Sequence, residues 1–198
     1  MSAKKNASEF ATSYFEWVSD LARAIDPASI DAVAAIFKAA RDREATIYFL
    51  GNGGSAATAT HATNDLCKCT RTRGGKPFRA LSLSDNAAWV SALANDEGYD
   101  MVFAGQLDNL LRSGDIVFGI SASGNSINLL RAFELASERG ATTVALVGFD
   151  GGRMMEIADA SIHVVSEHGA YEPVEDVHLI VMHMLTSYLS TPVDQGGE

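Results

Sequence analysis

Cysteine is nearly absent from this chain: Cys67 and Cys69 are the only two, separated by one residue. On a helix their side chains would point about 200° apart, so neither a disulfide between them nor a metal shared by both is easy to form. Reduced thiols of this kind fit a cytoplasmic protein. No apolar run approaches the ~18–20 residues of a membrane helix. The stretch Met1 to Phe10 is polar and lacks the apolar segment of a secretory signal. Long basic runs are missing too. With 25 acidic against 15 basic side chains, the net charge of −10 argues against a surface that coats nucleic acid, and no direct nucleic-acid or membrane partner is expected. An anionic small molecule stays open as a ligand, because local N–H and hydroxyl donors can outweigh the overall field.

Two further absences concern nucleotide motifs. The stretch Gly51-Asn52-Gly53-Gly54-Ser55 fails the G-x-G-x-x-G pattern because Ala56 stands where the third glycine belongs. It fails the Walker pattern because no Lys-Ser or Lys-Thr follows. What is there instead is a pair of glycine- and serine-rich turns, this one and Ser121-Ala122-Ser123-Gly124-Asn125-Ser126. Each follows an apolar run, Ile47–Leu50 or Ile116–Ile120, and each opens a helical stretch. A strand turning sharply into a helix presents unpaired N–H groups and the positive end of the helix dipole. Phosphate fits such a place. Two such turns predict one phosphorylated ligand held from two sides.

The chain has 198 residues, 47% of them hydrophobic, which suits one globular domain with a sizeable core. Helical spacing of Phe10, Tyr14, Trp17, Val18 and Leu21 predicts a helix over about Ser8–Ala24. Asp26-Pro27 reads as an N-cap followed by proline at the first helical position, opening a second helix with Ile30, Val33, Ala34 and Phe37. Short apolar strands then alternate with helices: Ile47–Leu50, Phe78–Leu83, Ile116–Ile120, Thr143–Val147 and Ser161–Val165. Helices are expected at about Ser55–Cys69, from an Asp85 cap through Leu93, at Met101–Leu111, Ser126–Arg139 and Tyr171–Leu189, with a short one after Gly152. Such alternation predicts an α/β fold, a five-stranded parallel sheet flanked by helices, preceded by two leading helices. Both Ser/Gly turns then fall at the carboxyl edge of the sheet, where open α/β sheets bind ligands. Residues 1–45 are assigned to leading helices used in oligomerisation, 46–191 to the α/β domain and 192–198 to a frayed tail. Arg71–Lys76 reads as a basic loop.

His61 and Asp65 are four apart and share a helix face. Glu175, His178 and His183 lie on the last predicted helix, with Glu175 and His183 two turns apart and offset by about 80°. If the helices meet, His61, Asp65, Glu175 and His183 make a set able to bind a divalent metal or move protons. Mixed nitrogen and carboxylate ligands suit zinc better than magnesium.

Taken together, Gly51–Ser55 with His61 ten positions after Gly51, Asn95-Asp96-x-Gly98-Tyr99, Ser121–Ser126, Gly148-x-Asp150-Gly151-Gly152 and Glu175-x-x-His178-x-x-x-x-His183 resemble the phosphoheptose isomerase family of sugar isomerase (SIS) domains. The resemblance implies a homotetramer that isomerises sedoheptulose 7-phosphate to D-glycero-D-manno-heptose 7-phosphate, an aldose–ketose isomerase with a divalent metal, zinc. It implies phosphate held by Ser121, the backbone of Ala122, Ser123 and Ser126, helped by Asn52, Gly53, Gly54 and Ser55. Asn95 and Asp96 would face sugar hydroxyls. His61 and His183 match the family's zinc ligands, and Asp65 and Glu175 would complete or border both the metal and the substrate. Asp65 and His183 would be the acid/base groups.

Departures from the family pattern matter. Asp65 stands where the family has glutamate, the proposed base, which shortens the reach by one methylene, roughly 1.5 Å. Glu175 stands where it has glutamine, which adds negative charge to a cation site. Cys69 replaces an arginine, and Ala122 removes a hydroxyl. The alternative is a non-catalytic SIS protein that senses phosphosugars or associates with a replication initiator, since one such relative also has a shortened acidic residue.

Overall fold

The computed structural model describes residues 6–71 and 76–190. Most of the predicted basic loop and the tail from residue 192 lie outside the described residues. The order is α1 (Ala7–Arg23), α2 (Pro27–Asp42), β1 (Thr46–Gly51), α3 (Gly54–Cys69), β2 (Arg79–Ser82), α4 (Ala87–Asp96), a 3-10 turn (Tyr99–Met101), α5 (Ala104–Leu110), β3 (Ile116–Ser121), α6 (Ile127–Glu138), β4 (Thr142–Val147), α7 (Gly152–Ile157), β5 (Ala160–His163) and α8 (Tyr171–Ser190).

Local chemistry starts the leading helices. Asn6 accepts the Glu9 N–H, and the Glu9 carboxylate returns to the Asn6 N–H, a reciprocal capping box. Asp26 accepts the Ala28 N–H, with Pro27 at the first helical position. Within β1, alternation sends Ile47 and Phe49 to one face of the sheet and Tyr48 and Leu50 to the other. On the first face Phe37, Phe49 and Phe118 pack edge to face and tilted, with α1, α2, α3 and α8 covering them. The other face is closed by Leu93, Leu107, Leu129 and Phe133. Burial on both faces is why the strands read as continuous apolar runs.

All five strands are parallel in the order β2-β1-β3-β4-β5. Chain direction across the sheet reverses between β1 and β3, so the crevice of this fold opens there. The two Ser/Gly turns follow those two neighbouring strands.

Several boundaries differ from the sequence reading. Asp85 does not cap α4; Asn86 does, accepting the Trp89 N–H, while the Asp85 carboxylate takes the Thr60 hydroxyl. The helix continues past Leu93 to Asp96, so Asn95 and Asp96 occupy its last turn. The helix expected at Met101–Leu111 divides into the 3-10 turn and α5. β5 ends at His163, because Ser166 and Phe149 then bond each other across the loops instead of extending the ladder.

His178 is fully buried within α8, and neither ring nitrogen has a hydrogen-bond partner among the described residues. Burial pushes its pKa down to about 4, against a weaker opposing contribution from the Val147 backbone. The folded-state value lies below the unfolded one of about 6.5, so the unfolded chain binds the extra proton in between. Stability from this group is therefore complete above pH 6.5 and lost as pH falls toward 4. Between pH 7 and pH 5 the loss is about 2 kcal/mol. Urea melts should give this slope, and His178→Leu should flatten it.

Candidate functional site

The Ser/Gly turns line a cavity of about 180 Å³ together with one helix: Asn52, Ser55, Ile120, Ser121, Ala122, Ser123, Ser126, Tyr171 and Glu175. Ser126 is the N-cap residue of α6 and its side chain makes no capping bond. Gly53 holds the same position on α3, again without a side-chain cap. Two helix N-termini thus flank one cavity, each with its positive end toward it.

The serine hydroxyls are oriented by the backbone. Ser121 Oγ accepts the Gly124 N–H at 3.1 Å, and Ser123 Oγ accepts the Asn125 N–H at 3.3 Å. With lone pairs so used, each hydroxyl keeps its own proton to donate. Gly124, at φ +61°, lies so close to the Gly151 carbonyl that a Cβ would meet its oxygen at 2.0 Å. That contact docks the loop on the turn after β4.

Glu175 reaches across from α8 and lays its carboxylate against Gly54, where a Cβ would stand 2.2 Å from Oε2. Burial raises the pKa of Glu175, and the Glu172 and Asp176 carboxylates add to it. In its neutral form the group is a donor beside an anion.

Further along the same two helices, His61, Asp65 and His183 converge. His61 Nε2 is 2.9 Å from His183 Nε2, and Asp65 Oδ2 is 3.2 Å from His61 and 3.6 Å from His183. One ligand atom from each residue fits within 4.8 Å, the group among the described residues that could hold a metal ion. Two imidazoles and a carboxylate form a donor set able to hold a divalent metal ion.

The structure does not bring the fourth expected ligand there. His183 lies eight positions after Glu175 on the helix, about 12 Å of rise, and the Glu175 side chain turns to Gly54. The expected four-residue metal set is a three-residue cluster, with Glu175 in the cavity lining instead. Asn95 and Asp96 also stay outside that lining; their side chains bond each other at 2.7 Å on the exposed end of α4. Tyr171 lines the cavity but carries no motif of its own; its position at the start of α8, one turn before Glu175, is the signal that could have found it.

A five-stranded, doubly wound parallel sheet with two serine/glycine turns at its switch point defines a SIS domain, and the SIS domain family pattern matches residues 13–148. A phosphoheptose isomerase of Nitratiruptor is 40% identical over 144 residues, 72% of this chain and 75% of the relative. That of Vibrio parahaemolyticus is 34% identical over 168 residues, covering 84% and 86%. The solved structure of a phosphoheptose isomerase from Francisella tularensis superimposes with a TM-score of 0.85 at 26% identity, covering 94% of this chain and 99% of that one. The chain belongs to the phosphoheptose isomerase family of SIS-domain proteins.

Proposed function

We propose that this protein isomerises sedoheptulose 7-phosphate to D-glycero-D-manno-heptose 7-phosphate. The observation that carries this reading is the spacing of two sites along one helix pair. Gly54 lies against Glu175 and His61 against His183, so α3 and α8 run side by side in the same direction. Six residues from Ser55 to His61 advance about 9 Å along α3. A seven-carbon chain has six C–C bonds of ~1.5 Å, roughly 7–8 Å when extended, before its phosphate is added. A sugar whose carbonyl end lies far from its phosphate spans that distance.

Phosphate would be held by Ser121, Ser123 and Ser126, the backbone of Ala122, and Asn52, Gly53, Gly54 and Ser55. Asp65 would take a proton from C1 and return it at C2, with an enediol between. His183, within reach of the same carboxylate, would exchange the hydroxyl proton. His61, Asp65 and His183 would hold a divalent cation, zinc by ligand chemistry. Such an ion polarises the sugar's carbonyl and hydroxyl oxygens. Asn95 and Asp96 would face sugar hydroxyls.

Purified protein with zinc should convert sedoheptulose 7-phosphate to the aldose, read by NMR. Absence of both metal and turnover under zinc supplementation would favour the phosphosugar-binding alternative.

We further propose a homotetramer built on the leading helices. Phe10, Phe15 and Trp17 on α1 are 61%, 69% and 42% exposed in the single chain. Leu21 and Phe37, also expected at that interface, are buried in the chain's own core instead. Exposed aromatics on one helix mark an interface. Sedimentation at micromolar concentration should give a tetramer, and Phe15→Glu should shift it toward smaller species; a wild-type monomer refutes the assembly. Among the described residues no helix is long and apolar enough to cross a membrane.

A further inference from the structure

Asn52 lies in the cavity lining, and its amide is held by two residues that the lining does not include. Asn52 Nδ2 donates to Asn128 Oδ1 at 3.0 Å, and Asn128 Nδ2 donates back to Asn52 Oδ1 at 2.9 Å. The Tyr99 hydroxyl donates to the same Asn52 oxygen at 2.9 Å. A backbone group sets the direction of this chain of bonds. The Leu129 N–H lies 3.1 Å from Asn128 Oδ1 and can only donate. Asn128 Oδ1 is therefore the acceptor end, its Nδ2 faces Asn52 Oδ1, and the Asn52 orientation follows. Asn128 is 3% exposed, so its amide has no water as a ready substitute for these partners.

We infer that Tyr99 and Asn128 are positioning residues that fix the Asn52 amide as a donor toward the bound phosphate and clamp the two phosphate turns together. With two donors on Asn52 Oδ1 and one Nδ2 hydrogen on Asn128, one N–H remains for a ligand. The cavity thus meets the ligand with hydrogen donors from Asn52 as well as from the serines. This selects an oxyanion over a donor group of similar size. The three residues come from three separate segments: the turn after β1, the 3-10 turn after α4, and the first turn of α6. Tyr99, though 58% exposed, carries the Asn95–Tyr99 segment onto the phosphate turns through its hydroxyl. Holding donors in place before the ligand arrives lowers the ordering cost of binding.

This inference rests on phosphate binding in that cavity and not on isomerisation, so the test separates the two. Inorganic phosphate is titrated by calorimetry into the wild-type oligomer, Tyr99→Phe, Tyr99→Ala and Asn128→Asp, and KM and kcat for sedoheptulose 7-phosphate are measured in parallel. Asn128→Asp keeps the acceptor for the Leu129 N–H and removes the donor to Asn52. Loss of one hydrogen bond in Tyr99→Phe should weaken phosphate by about 3- to 10-fold, and Asn128→Asp by about 10- to 30-fold. KM should rise by similar factors while kcat moves far less. Unaltered phosphate affinity in both Tyr99→Phe and Asn128→Asp overturns the inference. So does weakening in Tyr99→Ala without weakening in Tyr99→Phe, since ring packing alone would then be responsible. Weakened phosphate binding in a protein that turns over no sugar supports it and removes the isomerase reading alone.

Discussion

Asp65→Asn lowers turnover of sedoheptulose 7-phosphate by about 10²–10⁴-fold and leaves the fold intact, the expected result of removing a proton-transfer base while keeping its shape. Asp65 Oδ2 lies 3.2 Å and 3.6 Å from the two imidazoles, so the candidate base sits beside both. An amide oxygen can still accept a hydrogen bond but cannot take up a proton at neutral pH. The side chain sits between α3 and α8 with 17% exposure and two imidazoles beside it, and the amide keeps its shape, so stability should change by about 1 kcal/mol. Thermal melts, bound metal by elemental analysis and kcat are read on the same sample. Metal loss without a thermal shift would separate the ligand role of Asp65 from a structural one. Turnover within about tenfold of wild type would move the base elsewhere, since positioned bases contribute more than that.

Ser123→Ala weakens phosphosugar binding by about 10- to 100-fold. A hydrogen bond from a hydroxyl to a charged phosphate contributes roughly 1.5–3 kcal/mol, which is that range in affinity. Ser123 Oγ already accepts the Asn125 N–H, so its proton is directed outward. The Asn125 side chain also bonds the Ser123 carbonyl and the Arg153 N–H, which should keep the loop in shape without the hydroxyl. A binding isotherm with sedoheptulose 7-phosphate, alongside one with the unphosphorylated sugar, gives the answer. Unchanged affinity for the phosphorylated sugar would mean that the loop is only a turn.

The fold was largely legible because its signals are local. Asp26 caps a helix with its own side chain, Pro27 fits a first helical turn, and apolar runs buried on both faces declare parallel strands. The errors fall where two local signals compete. Asp85 and Asn86 are both good caps, and Thr60, distant in sequence, takes the Asp85 carboxylate and leaves Asn86 to the helix. Phe37 and Phe10 look alike in a helical pattern; only packing on Phe49 and Phe118 makes Phe37 core. At the site, residue types and spacings revealed the two turns and the His61–Asp65 pair, since a four-residue interval is a helix face. Glu175, expected at both the metal and the substrate, lies on the cavity side only, because its spacing to His183 says nothing about which helix lies beside it.

By itself, the sequence determined the class of sheet, the two serine/glycine turns and the family. Each depends on residue chemistry and intervals of a few positions, which backbone geometry converts directly into shape. The tertiary structure decided which groups meet. It set α3 beside α8, turned Glu175 to Gly54, brought His183 across to His61 and Asp65, and tied Tyr99 and Asn128 to Asn52. These contacts join residues up to 122 positions apart, as with His61 and His183. Their pairing follows from strand order and helix packing, in which every element takes part at once, and no local interval encodes it.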